Sequence, residues 1–210
     1  ERWEGRLSKK DIKACRQDYA DHLQLLDAQL QRLLNELAKR DDVGQTAIAV
    51  TSDHGEMLGD HGMLYKGTFL EASIRVPFQY CPPPYLNNPP QILKRPLGLT
   101  NMFSSVLRHL IDGGAAHNIV ETAKKTSHVC VEFGDELLTI RNNCKLCRKL
   151  SGEVLWASQL RSDPEEQLNQ IMINPNLLQQ KESWAVLEQI SEQELKKRRD
   201  EKWFQSDYKL

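Results

Sequence analysis

The sequence has no run approaching the ~20 consecutive apolar residues of a membrane-spanning helix, so no segment is expected to cross a bilayer that way. It also lacks a surplus of either charge. Its 28 basic and 29 acidic residues leave a net charge of -1, which removes the broad attraction that nucleic acid or an anionic membrane surface would exert. Neither is expected as a partner, and any anion chemistry has to be local. Paired cysteine is missing too: Cys15, Cys81, Cys130, Cys144 and Cys147 are odd in number and irregular in spacing, which argues against a fully paired disulfide framework and for reduced thiols. That usage leans towards a cytoplasmic compartment. The chain opens Glu1-Arg2-Trp3-Glu4, without Met or an apolar leader, and reads as a cut in a longer chain. The longer chain's own start could carry a secretion signal, which keeps the compartment open.

What is present suffices for a core, with 40% hydrophobic residues in 210. Ser8 and Asp11 resemble a capping box, and Tyr19, Leu23, Leu26, Leu30, Leu33 and Leu37 then recur at steps of four and three. The spacing predicts an amphipathic helix over 8–40. Thr46 to Thr51 is short, apolar and partly β-branched, as in a strand buried on both faces, and helix followed by strand indicates an α/β layer. Ser73 to Tyr80 is a second strand candidate, with Pro77 demanding an edge, a bulge or an early end to pairing. Cys81 through Pro96 is a proline-rich connection, and a helix is expected from Thr100 to Leu110, stopped by Gly113-Gly114.

From His128 the pattern becomes four short strands, 128–133, 136–140, 145–150 and 154–160, the mark of an antiparallel meander. Asp163-Pro164 reads as a helix start. The tail from Gln179 reads as a charged helix with a thin stripe of Trp184, Leu187, Ile190 and Leu195, its run Lys196 to Arg199 being a solvated face. The expected organisation is an α/β part over 1–115, a small antiparallel part over 116–180 and a helical tail over 181–210.

The chemistry concentrates in Thr51 to Gly62, which begins where the strand should end, the place where open α/β sheets gather ligands. Asp53 offers a hard oxygen ligand and His54 an imidazole nitrogen, while Gly55 permits a sharp turn, so two successive residues can converge on one ion. Lys66, in the second loop Lys66-Gly67-Thr68, can set an ammonium against a sulfate or phosphate oxygen. Glu71 and Arg75 are expected to form a structural ion pair. Cys144 and Cys147 form a single Cys-x-x-Cys without a second ligand pair, and read as strand residues.

The stretch from Ala47 through Gly67 and on to Pro77, with its core Ser52-Asp53-His54-Gly55 and its Gly59-Asp60-His61-Gly62, resembles the sulfatase family of the alkaline-phosphatase superfamily. Tyr19 to Asp27 looks like the family's preceding helix, and Leu160 to Asn169 like its acidic motif after a small sheet. The resemblance implies an α/β fold: an incomplete alkaline-phosphatase-like sandwich followed by a small antiparallel subdomain with helices. It implies Asp53 and His54 as ligands or close neighbours of a divalent cation, calcium by preference, with manganese or zinc in phosphonate-cleaving relatives. Lys66 would contact the transferred group. His61 would stand nearby on the substrate side, although a loop histidine can equally satisfy a neighbouring carbonyl.

One departure is large. Sulfatases carry a Cys or Ser in a Cys/Ser-x-Pro/Ala-x-Arg motif that becomes formylglycine, and no cysteine here has that context. The family's paired aspartates are also missing, so these residues alone are expected to be inactive. The reading is part of a metal-dependent sulfuric ester hydrolase acting on a small sulfate ester, its nucleophile outside these residues. Phosphonate monoester or phosphodiester hydrolysis on the same scaffold is the alternative. A non-catalytic binding or assembly module, paired with an N-terminal half or with a second copy of itself, is the reading from another class.

Overall fold

The computed structural model describes residues 7–86, 92–111 and 124–200. Two compact units result, residues 1–90 and 91–210. The predicted stop at Gly113-Gly114 and the boundary near residue 115 lie outside the described residues. No helix among the described residues is long and apolar enough to cross a membrane.

The first unit opens with α1, Lys9–Leu37. Its capping box is formed, Ser8 Oγ accepting from the Asp11 amide at 3.2 Å while Asp11 Oδ2 accepts from the Ser8 amide at 2.9 Å. None of its 29 residues is buried, and Leu23, Leu26 and Leu33 are 49–64% exposed. The period that predicts the helix therefore marks an apolar stripe that is largely exposed, with only Leu30 and Leu37 half-buried.

After a turn, β1 (Ile48–Thr51) pairs antiparallel with β2 (Phe78–Cys81), Ile48 opposite Cys81 and Thr51 opposite Phe78. Burial on both faces does not hold: Ala49 is exposed and the other three residues are half-buried. The strand predicted over Ser73–Tyr80 is also shorter. Its first part is the single helical turn α2 (Glu71–Ile74), and β2 starts just after Pro77, which has no N–H for a ladder.

The second unit begins with α3 (Leu99–Ile111), which buries Met102, Ser105 and Val106. Four strands follow, β3 (Val129–Phe133), β4 (Glu136–Arg141), β5 (Cys144–Lys149) and β6 (Val154–Gln159), in the sheet order β3-β4-β5-β6 and all antiparallel. The β4–β5 hairpin turns on Asn142 and Asn143, both left-handed at φ 48° and 65°, a conformation asparagine tolerates because its short side chain bonds locally. Leu137, Leu138, Leu146, Cys147 and Ala157 are wholly buried.

Two short helices, α4 (Gln170–Ile173) and α5 (Leu177–Gln180), lead into α6 (Glu182–Asp200). Helix α6 packs on β4 and β5. It buries Trp184, Leu187, Ser191 and Leu195, so Ser191 takes the place on the stripe expected of Ile190. Its basic run is exposed at Lys196, Lys197 and Arg199, as expected of a solvated face, but Arg198 is drawn in to bond the carboxylates of Glu132 and Glu194, and Arg199 bonds the Leu150 carbonyl.

No helix starts at Asp163-Pro164. Asp163 instead accepts from the amides of Gln167 at 3.0 Å and Leu168 at 2.9 Å, a wider span than an N-cap makes. Glu166 turns left-handed, at φ 53°, where its carboxylate meets Lys145 Nζ at 2.7 Å. Lys145 is fully buried, so the chain takes the path that neutralises it.

Candidate metal and anion site

Leaving β1, the chain bends through Ser52-Asp53-His54-Gly55. Ser52 Oγ donates to the His54 carbonyl at 2.7 Å, and the His54 amide donates to Asp53 Oδ1 at 2.9 Å. That amide holds the exposed Asp53 carboxyl below the usual carboxylate range, so it is ionised at neutral pH. His54 Nδ1 lies 2.8 Å from the Gly55 carbonyl, which can only accept. Nδ1 therefore carries the proton, and in the neutral ring Nε2 keeps its lone pair.

Nε2 faces Asp53 Oδ2 at 3.5 Å. Two lone-pair atoms so placed call for a cation or a proton. Ligand atoms about 2.0–2.6 Å from a shared ion stand roughly 3–4 Å apart, so the pair fits one divalent cation. No third His, Cys, Asp or Glu among the described residues completes the set, so on their own these two could fill only part of a coordination sphere.

Gly55 fixes the bend. Its amide donates to the Ser73 carbonyl at 2.7 Å, and a Cβ on it would lie 2.0 Å from the Ala72 carbonyl oxygen. Beyond it the loop folds back, the Met57 amide donating to Tyr65 O at 2.9 Å and the Gly59 amide to Met63 O at 2.8 Å, around a buried Met57. Leu58, His61 and Tyr65 are all left-handed at φ 47°, 53° and 66°, and such costs gather where the surroundings over-determine a site.

The predicted residues are placed unequally. Asp53 and His54 stand together. His61 is half-buried at its left-handed corner. Lys66 is exposed and follows Tyr65, whose carbonyl is tied to Met57, so its backbone returns beside the bend; no described residue pairs with its ammonium. The Glu71–Arg75 contact is 3.8 Å with Arg75 81% exposed, a marginal pair.

Sequence reasoning missed Arg16. From α1 its Nε donates to the Leu58 carbonyl at 3.0 Å and Nη2 to Asp60 Oδ1 at 2.6 Å, pinning the loop. Helical periodicity reports only that Arg16 is on a polar face, so nothing in the spacing signals this contact. Cys144 and Cys147 are both buried on β5, where an odd spacing sends them to opposite faces, so they cannot share an ion.

A family model described as Sulfatase matches residues 2–112, which contain this whole loop system. The chain belongs to the sulfatase family. Through that family it belongs to the alkaline-phosphatase superfamily. Among relatives of this sulfatase chain, an arylsulfatase of Clostridium perfringens (strain 13 / Type A) is 28% identical over 138 residues, covering 66% of this chain and 26% of that protein. A choline-sulfatase of Rhizobium meliloti (strain 1021) is 26% identical over 137 residues, covering 62% and 27%. The sulfatase chain thus spans about a quarter of the length of these curated relatives. The crystal structure of a phosphonate monoester hydrolase of Agrobacterium radiobacter shares the fold, with a TM-score of 0.70 at 22% identity over 92% of this chain and 43% of that one.

Proposed function

We propose that these residues form part of a metal-dependent sulfuric ester hydrolase. Asp53 and His54 hold a divalent cation, calcium in the first place, and Lys66 contacts the sulfate being transferred. The observation that carries the reading is the 3.5 Å pair of lone-pair atoms on a bend that Gly55 alone among residues fits. When bound, the cation withdraws charge from the transferred group as a Lewis acid. The chain's own part is positional. The His54 amide keeps Asp53 ionised, the Gly55 carbonyl keeps a proton on Nδ1 so that Nε2 faces the ion, and Lys66 brings an unpaired ammonium to the anion. His61 serves as a substrate-side group at the edge of the loop. The formylglycine nucleophile, and the rest of the metal site, come from outside these 210 residues.

The test uses the natural polypeptide that contains these residues, assayed on an aryl sulfate and on an aryl phosphonate monoester. Sulfate hydrolysis that falls at least roughly 100-fold in Asp53→Asn and in Lys66→Ala supports the assignment. Faster turnover of the phosphonate overturns the sulfate reading, and sulfate turnover indifferent to both substitutions overturns the residue roles.

A further inference from the structure

A second constellation of ligand atoms lies in the unit formed by residues 91–210, and the sulfatase reading makes no use of it. His128, immediately before β3, and Cys130, within it, are two residues apart and so share one face of the strand. Glu194 approaches them from α6. One ligand atom from each lies within 4.8 Å of the other two, all three residues are half-buried, and His128 Nε2 is 3.4 Å from Glu194 Oε1.

We propose that His128, Cys130 and Glu194 form a binding site for a borderline divalent transition metal of the zinc class. The choice of ion follows from the donors: a thiolate and an imidazole select zinc-like cations over calcium or magnesium, with the carboxylate as third ligand and one position left for solvent. Tetrahedral ligation sets such ligand atoms about 3.4–3.6 Å apart, a spacing the His128 Nε2–Glu194 Oε1 pair already has at 3.4 Å, with every separation in the cluster at most 4.8 Å.

The surroundings match. Ser127 Oγ lies 2.9 Å from His128 Nδ1, where it can accept a hydrogen bond from Nδ1–H and leave the Nε2 lone pair facing Glu194 and Cys130. Arg198 holds Glu194 through Oε2 and its backbone carbonyl, leaving Oε1 for the cluster, and also binds Glu132. With Cys130 as thiolate, the three acidic groups Cys130, Glu132 and Glu194 against Arg198 leave two negative charges, which one divalent cation balances. Without a cation, burial pushes the Cys130 thiol up to about 11, with Arg198 opposing. Cys130 is then neutral, so binding forms the metal–sulfur bond and releases one proton to solvent.

The site would tie α6 to an edge strand. Helix α6 packs on β4 and β5, whereas its links to β3 are the polar ones through Glu194 and Arg198. A metal would convert them into a staple.

The experiment is a titration of the metal-stripped 210-residue chain with Co2+, a spectroscopic substitute for Zn2+. It is run on wild type, Cys130→Ser, Glu194→Gln and the double variant Asp53→Asn/His54→Ala. Expected are one equivalent bound with a thiolate-to-cobalt charge-transfer band, competition by Zn2+ but not Ca2+, an unchanged band in the double variant, no band in Cys130→Ser, and at least roughly tenfold weaker binding in Glu194→Gln. Far-UV circular dichroism confirms that each variant is folded. Absence of the band in wild type overturns the proposal, as does a band that survives Cys130→Ser or disappears in the double variant. The proposal is independent of the sulfate-ester reading, and the double variant keeps the two apart.

Discussion

Replacing Gly55 by Ala is the sharpest perturbation of the loop. The new methyl would stand 2.0 Å from the Ala72 carbonyl oxygen and 3.3 Å from that of Ser73, and neither neighbour is a flexible side-chain tip. Bringing the first contact to 3.0 Å, the least real Cβ atoms tolerate, means parting the two segments by about 1 Å. That movement breaks the 2.7 Å bond from the Gly55 amide to Ser73, whose side chain and backbone are buried at 3% exposure. An unmade buried hydrogen bond costs about 1–3 kcal/mol and overpacking about 1–3 kcal/mol, and since parting relieves one while causing the other, about 1–3 kcal/mol is expected in total. The control is Gly44→Ala, where a Cβ meets nothing within 4 Å and the change should stay within about 0.5 kcal/mol. Urea unfolding gives the stability difference, and amide hydrogen exchange at residues 55 and 57 shows whether the loop has opened. If Gly55→Ala matches wild type within about 0.5 kcal/mol and residue 55 keeps its protection, the close approach does not hold the bend.

Arg16→Met should free the Leu58–Asp60 corner; the bonds lost are half-exposed, so about 1 kcal/mol, or about fivefold faster exchange at the Gly59 amide, is expected, and unchanged exchange would mean α1 does not pin the loop. Lys145→Met should cost about 3–5 kcal/mol, because it breaks a buried ion pair to the Glu166 carboxylate, 3% exposed, whereas Lys149→Ala, at an exposed pair, should stay within about 1 kcal/mol; equal losses in urea unfolding would refute the distinction. In chelator, the Cys130 thiol gives a pH-dependent contribution to stability. The unfolded chain loses that proton near 9.0 and the folded chain near 11, so the contribution is complete below pH 9 and is lost as pH rises to about 11, to the extent of about 2–3 kcal/mol. The measurement is the difference between wild type and Cys130→Ser in urea unfolding at pH 8.5 and 11, and an equal alkaline loss in both proteins would show that the thiol is not held protonated.

Much of the architecture was legible because its signals are local. The capping box and the leucine period defined α1, and short strand-like runs separated by turn residues such as Gly134-Asp135 and Asn142-Asn143 defined the meander to within a residue or two. Asp53, His54 and Lys66 could be singled out for the same reason, since adjacency on a strand end is written in the chain. Misreadings arose where a distant partner decided the outcome. Glu166 bends away from a helix towards Lys145, 21 residues earlier, and Arg198 turns from solvent to Glu132, 66 residues earlier.

The sequence by itself determined the family, the order of elements and the residue types at the bend, because propensity, periodicity and motif act over a few neighbouring residues. Only the tertiary structure decided that Gly55 abuts Ala72, that Arg16 reaches Leu58 across 42 positions, and that His128, Cys130 and Glu194 meet. These are meetings of side chains from separate elements, and their geometry depends on how strand pairing and helix packing bring those elements together, which no spacing along the chain records.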